Sequence, residues 1–302
     1  MSKHNSFLPI NTDNDLITEQ GIQTLDATPL IVLEGGNDIK FFRYMFSEIK
    51  FNPKTESKRG WEGVYDFIDR WNRNENIDEL RKKHNKVIGV IDRDYHDYAN
   101  KITFPSNIVK TDYRDLEIIL FESDTALNRI LIKYGRDPSN YPKNANNDID
   151  LGAIRSLIYE KSMALSKIRY LKVINQVESL GINCVTNEGK GFENFFCHKS
   201  FTLNEGKLVT LLCQRNKEIS ADVIVSWMNT SVDIDPKLLC KGHDIISILA
   251  RSFRKYFNNL GAQDVSSEDI EQELLLAFPF SDFKVLNYAQ ELFSQLDIRS
   301  TI

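Results

Sequence analysis

The sequence predicts an α/β fold: a parallel sheet flanked by helices, followed by a mainly helical C-terminal region. Three observations carry this expectation. The runs "PLIVL" and "KVIGVI" are continuously apolar, as strands covered on both faces are. Segments with helical spacing lie between such runs. Beyond residue 125 the chain shifts to longer helical patterns.

The elements follow in order. Residues 1–27 are polar and read as a lead-in. Residues 29–33 form the first strand. Ile39, Phe42, Met45, Phe46 and Ile49 then fall on one helical face, with Asn37 as the expected N-cap. "WEGVYDFIDRW", 61–71, is a second amphipathic helix, in which Trp61 and Trp71 read as core residues. Residues 86–91 and 107–110 are the next strands, and "RDLEIILF", 114–121, is a helix entering the core. The parallel unit spans 28–125. Residues 126–215 form a helical insertion, with helices over 125–134 and 150–180. They also include a β-hairpin over 201–212, turning at Asn204 to Gly206. Residues 216–302 form a helical C-terminal domain. Its last helices are expected over 244–257, 266–278 and 281–296, capped by Asp244, Ser266 and Ser281.

Composition narrows the class. With 302 residues, 41% of them hydrophobic and 27% charged, the chain can bury a sizeable core. No apolar run approaches the ~18 residues of a membrane span, and the first residues lack the apolar centre of a signal peptide. A cytoplasmic protein is expected. Cys184, Cys197, Cys213 and Cys240 form no Cys-x-x-Cys pair, so a zinc knuckle is not expected. The net charge of −5 counts against a generally basic nucleic-acid binder. It leaves room for an acidic active site beside a locally basic surface.

The chemistry is expected in the acids. Glu34 directly follows the first strand, and Asp92 and Asp94, in "VIDRDY", follow the second long apolar one. In an open parallel sheet, ligands bind at the carboxyl ends of the strands. Read as extended backbone, Asp92 and Asp94 point to one side. Asp38, early in the next helix, can lean toward the same crevice. The third strand runs into "TDYRDLE", supplying Asp112, Asp115 and Glu117; Asp115 and Glu117 can share a site only if their helix starts late. So many carboxylates repel one another unless they take up protons or a cation. Magnesium suits such a set, because it prefers oxygen donors and keeps several waters. Two ions would clamp the attacking and leaving oxygens of a phosphoryl transfer. Taken singly, each acid has a plainer reading: Glu34 as a loop acid, Asp38 as a partner of the helix dipole, Asp112 or Asp115 as a cap.

The joint pattern "VLEGGNDIKFF … VIGVIDRDY … TDYRDLEIIL" resembles the Toprim domain of topoisomerases, primases and overcoming-lysogenization-defect nucleases. It is most similar to the Toprim-containing family that includes nuclease effectors of PARIS anti-phage defence. The resemblance covers residues 30–122, with a looser echo at "CKGHDIISIL". It implies a Toprim-like, Rossmann-like sheet. It implies that Glu34 is the general acid/base, that Asp92 and Asp94 are magnesium ligands and that Asp38 is an auxiliary ligand. Asp115 and Glu117 would serve a second ion, and manganese could replace magnesium. It further implies a toxic effector that cleaves tRNA, held inactive by an ABC-type ATPase partner and active as a homodimer. Tyr95 adjoins the acids but is misplaced as a topoisomerase nucleophile, so hydrolysis is expected. "NEGKG" lacks the first glycine of a Walker loop, which leaves ATP hydrolysis to a partner.

Phosphate contacts need positive charge. Basic residues gather at Lys54, Lys58 and Arg59, at Arg81 to Lys86, and along Arg155, Lys161, Lys167, Arg169 and Lys172. The run at 81–86 precedes a strand, which places it at the wrong end of the sheet. The 155–172 helix is therefore the expected nucleic-acid contact. His243 either positions a phosphate or caps a helix. Two other functions stay open: a dehalogenase-fold phosphatase, in which Asp92 would be the nucleophile, and a non-catalytic regulatory subunit of an ATPase complex.

Overall fold

A computed structural model describes residues 28–75, 78–99, 102–135, 138–177, 179–197, 199–216, 219–257 and 265–298. The expected lead-in, 1–27, lies outside them. The chain opens β1 (Leu30–Leu33), α1 (Gly36–Glu48), β2 (Lys54–Ser57), α2 (Gly60–Arg73), α3 (Asp78–Lys83), β3 (Val87–Ile91), β4 (Ile108–Lys110) and α4 (Leu116–Glu122). The four strands form one all-parallel sheet in the order β2-β1-β3-β4.

Alternation along each strand divides its side chains between two cores. Leu30, Val32, Val87, Ile91 and Ile108 face α2, against Val64 and Ile68. Ile31, Leu33, Ile88, Val90 and Val109 face the larger core, which continues to Leu296. Burial on both faces explains the unbroken apolar runs. β2 escaped the sequence reading because "KTES" is polar and lies at the sheet edge, where only one neighbour has to be satisfied.

The order 2-1-3-4 has a consequence for function. From β1 the chain crosses to β2 on one side, then returns to β3 on the other. The connections leaving β1 and β3 therefore diverge, and a crevice opens at their carboxyl ends.

The remainder is α5 (Asp124–Tyr134), α6 (Leu151–Ile174), α7 (Ile182–Thr186), β5 (Phe196–Cys197), β6 (Thr202–Leu203), α8 (Glu205–Arg215), α9 (Ala221–Asn229), α10 (Pro236–Leu239), α11 (Gly242–Arg251), α12 (Ser267–Ala277), α13 (Phe280–Phe283) and α14 (Asn287–Gln295). Several expectations are corrected. No hairpin spans 201–212. Asn204 instead accepts the Lys207 N–H at 2.9 Å and caps α8, while the antiparallel ribbon is 196–203. Asn and Gly suit a tight turn and a helix start equally, and the apolar spacing of Leu208, Val209 and Leu212 decides for helix. α1 is capped at Gly35, not Asn37. Lys241 and Pro279, not Asp244 and Ser281, stand at the caps of α11 and α13, and 281–296 is divided between two helices. Ser266 caps α12 as expected, in a reciprocal pair with Asp269. No helix among the described residues is long and apolar enough to cross a membrane.

Candidate active site

β1 and β3 are hydrogen-bonded neighbours, with Val32 opposite Gly89. The residues that follow them emerge side by side. Glu34 Oε1 accepts the backbone N–H of Asp92 at 2.7 Å. Burial pushes the Glu34 carboxyl up to about 8, against the lowering effect of that hydrogen bond, and Asp94 and Asp38 add to the rise. Burial also holds Asp92 well above its ordinary value, reinforced by Asp115, Asp38, Glu34 and Glu117. Among the described residues, neither Glu34 nor Asp92 has a lysine or arginine ion-pair partner.

Asp94 reaches the same place by another route. The strand ends at Ile91, and Asp94 has φ +42°, in the left-handed region. Extended-chain geometry therefore does not align Asp92 with Asp94; a turn does. Asp94 donates its N–H to the Arg114 carbonyl at 2.9 Å, and its Oδ1 lies 3.5 Å from Arg114 Nε. Arg114 is buried. Its guanidinium lies over the Tyr95 ring at 4.0 Å and donates to the Leu239 carbonyl at 2.7 Å and to the Tyr95 hydroxyl. Tyr95 in turn donates to Leu239 at 2.8 Å. It is a buried strut beneath the acids.

The condition on Asp115 and Glu117 is met, because α4 begins late, at Leu116. Asp115 is its N-cap: Oδ1 accepts the Ile118 N–H at 3.2 Å. Its other oxygen accepts the Gly242 N–H at 2.8 Å, at the start of α11. One carboxylate thus holds two helix N-termini together. Glu117 lies in the first turn of α4, and burial, then Asp115 and Glu271, hold it well above its ordinary value. Asp38 accepts the Gly35 N–H at 2.9 Å, and burial raises it to about 6. Asp112 serves elsewhere, accepting the N–H groups of Asn287 and Tyr288 at the start of α14 at 2.7 and 2.8 Å.

Asp92, Asp94, Asp115 and Glu117 line one cavity of about 600 Å³. The same cavity is lined by Arg169, Lys172 and Lys241, with Trp61, His96 and His243 also contributing. Trp61 packs at the margin of the smaller core, edge-on to His96 at 4.9 Å, so it is both core and cavity wall.

The basic residues of α6 do not act together. Arg169 is buried, with Nε and Nη2 at 2.9 and 3.2 Å from the Asp244 carboxylate and Nη1 at 2.6 Å from Asn183. Its charge is already matched by Asp244, and it ties α6 to α7 and α11. Arg155 sits fourteen residues earlier, about 21 Å along the helix axis. There it binds Asp124 at 2.6 Å and the Glu122 carbonyl at 2.9 Å. Lys161 and Lys167 line a different hollow, with Lys161 on Glu160 at 2.8 Å and Lys167 on the Met228 carbonyl at 3.2 Å. Only Arg169 and Lys172 of the five reach the cavity with the acids.

Sequence reasoning missed Lys241. Among the described residues its ammonium has no hydrogen-bonded or ion-paired partner, and burial, then Arg169, lower its affinity for a proton. The available signal was its place beside a helix N-terminus in "CKGHD". Arg114 was also missed as the support of Asp94. No protein-family profile matches this chain, and no curated protein matches it.

Proposed function

We propose that this protein is a divalent-metal-dependent nuclease with a Toprim-type centre, hydrolysing phosphodiester bonds of nucleic acid. The observation that carries the reading is the hydrogen bond between Glu34 and the Asp92 N–H. It joins the acids of two strands at the switch point of the sheet, with Asp94 on the same rim.

The donor set fits a magnesium or manganese ion. Carboxyls of this kind must hold protons or share a cation, and their raised proton affinities express that need. Asp92, Asp94 and Glu34 would hold the ion, with Asp38 beside them. When bound, it would stabilise charge on the phosphoryl oxygens and acidify a water. Glu34, pushed up to about 8, is suited to move a proton near neutral pH. Arg114 fixes the Asp94 carboxylate. Lys241 and Lys172 line the cavity together with Asp92 and Asp94 and would supply positive charge for a phosphodiester. Glu34 would be idle in an aspartyl-phosphate mechanism, yet it is the direct partner of Asp92, which disfavours the phosphatase reading.

Within this reading the target is tRNA, the context is toxic anti-phage defence, and an ABC-type ATPase partner restrains a homodimeric effector. The sequence resemblance supports these finer parts. The test offers the purified protein tRNA, single-stranded RNA and plasmid DNA with magnesium or manganese. Cleavage of tRNA, lost in Glu34→Ala and Asp92→Ala, is expected. A trapped aspartyl-phosphate would instead identify a phosphatase. Metal binding without cleavage of any substrate would favour a regulatory subunit.

A further inference from the structure

His243 and Glu271 have no part in the chemistry above, yet both stand beside Glu117. We propose that Glu117, His243 and Glu271 form a second cation site, with ligands of its own, beside the Asp92 and Asp94 pair on the cavity that Glu117 and His243 line with them. It selects a first-row transition ion such as manganese, iron or zinc over magnesium.

The site is built by the contact between two helix starts. Asp115 accepts N–H groups from both α4 and α11, which brings the first turns of these helices together. Gly242 permits the approach: a Cβ there would lie 2.3 Å from Asp115 Oδ1 and 2.5 Å from the Glu117 Cβ. His243, the next residue, is thereby delivered to Glu117, with Nδ1 3.4 Å from Oε1. No hydrogen bond joins them. Glu271 arrives from α12, and Asn37 of α1 fixes its Oε1 at 2.5 Å.

One donor atom from each of the three lies within 4.8 Å of the others. Metal bonds of about 2.0–2.2 Å place neighbouring ligands about 3.0–3.6 Å apart. The Glu117–His243 pair already has that separation, and Glu271 needs only a small side-chain movement. The carboxylates are only partly compensated, Glu117 by the His243 imidazole and Glu271 by the Asn37 amide. Glu117 is 13% exposed, accepts no hydrogen bond from another described residue, and has no lysine or arginine partner among them; nor does Glu271. The half-exposed imidazole of His243 leaves an entry path from solvent. An imidazole nitrogen among carboxylates suits transition ions, whereas magnesium favours oxygen donors alone.

The inference goes beyond the nuclease reading and is tested without it. Metal-free full-length protein is titrated with manganese, zinc and magnesium by calorimetry, and manganese binding is also followed by electron paramagnetic resonance. Wild type, His243→Ala, Glu271→Gln and Asp94→Asn are compared, with melting curves to verify folding. Two classes of manganese site are expected. His243→Ala and Glu271→Gln should each weaken one class at least about tenfold and leave the other unchanged, while Asp94→Asn does the reverse. Zinc should favour the class that depends on His243. Identical isotherms for wild type and folded His243→Ala would overturn the inference, as would magnesium competing equally at both classes. If only Asp94→Asn changes binding, this site fails and the neighbouring one stands; if only His243→Ala does, the nuclease reading fails and this site stands.

Discussion

Asp94 is held twice by Arg114: its N–H donates to the Arg114 carbonyl at 2.9 Å, and its carboxylate lies 3.5 Å from the same residue's guanidinium. The backbone contact requires the left-handed turn at Asp94, with φ +42°. Glycine accepts that conformation freely, while other residues pay roughly 1 kcal/mol. Asp94→Gly should therefore be more stable than Asp94→Ala by about 1 kcal/mol in denaturant titrations. Both variants should lose magnesium binding. This separates the strain at position 94 from its chemistry.

Arg169 is expected to be a structural residue. Asp244 and Arg169 are both buried and bidentate across α6 and α11. Breaking such a pair strands a charge, and Arg169→Leu or Asp244→Leu should each cost about 3–5 kcal/mol. The double variant should recover much of that loss, because neither charge remains. Chemical denaturation of the four proteins measures the coupling. If Arg169 mainly contacts nucleic acid, stability will hardly change and only substrate affinity will fall.

The acids make stability depend on pH and metal together. Glu34 rises from an ordinary 4.5 to about 8 on folding. Between those values the unfolded chain has released this proton and the folded chain keeps it. Metal-free protein should thus lose stability as pH rises through that window. Asp38, raised to about 6, acts in the same direction. Magnesium replaces the protons, so its stabilising effect should be larger near pH 8 than near 4.5. Melting temperatures with and without a chelator test this. Asp92 and Glu117, held well above their ordinary values, act likewise, so Glu34→Gln should reduce the pH slope without abolishing it and stabilise the metal-free form.

Gly242 lies where the start of α11 meets the start of α4. Gly242→Ala would drive a Cβ into Asp115, which is held by two backbone N–H groups. A loss of about 1–3 kcal/mol is expected, read as a lower denaturation midpoint. Unchanged stability would mean that the two helix starts can separate easily.

Much of this arrangement was legible in the sequence. The apolar runs of β1 and β3 identified strands buried on both faces, and the acids after them meet at the carboxyl edge of the sheet. Glu34 needed no further information, since adjacent parallel strands place their following residues together. Asp94 was placed by faulty geometry, because nothing in "DRDY" announces a left-handed turn; that turn depends on Arg114, twenty residues later. β2 was hidden because an edge strand tolerates polar residues. The basic residues of α6 looked alike, yet they differ in which element faces each one along a long helix. Asp244 and Asp124, which absorb two of those charges, are distant in sequence from the arginines they meet. Glu271 and His243 were unreadable as neighbours of Glu117, because the close packing at Gly242 that assembles them is a tertiary contact.

The most direct measurement is anomalous diffraction from crystals soaked in manganese at neutral pH. A peak should lie within bonding distance, about 2.2 Å, of carboxylate oxygens from Asp92 and Asp94, next to Glu34, and it should vanish in Asp92→Asn. Fully occupied crystals with no peak between these three residues would contradict the claim that they share a cation.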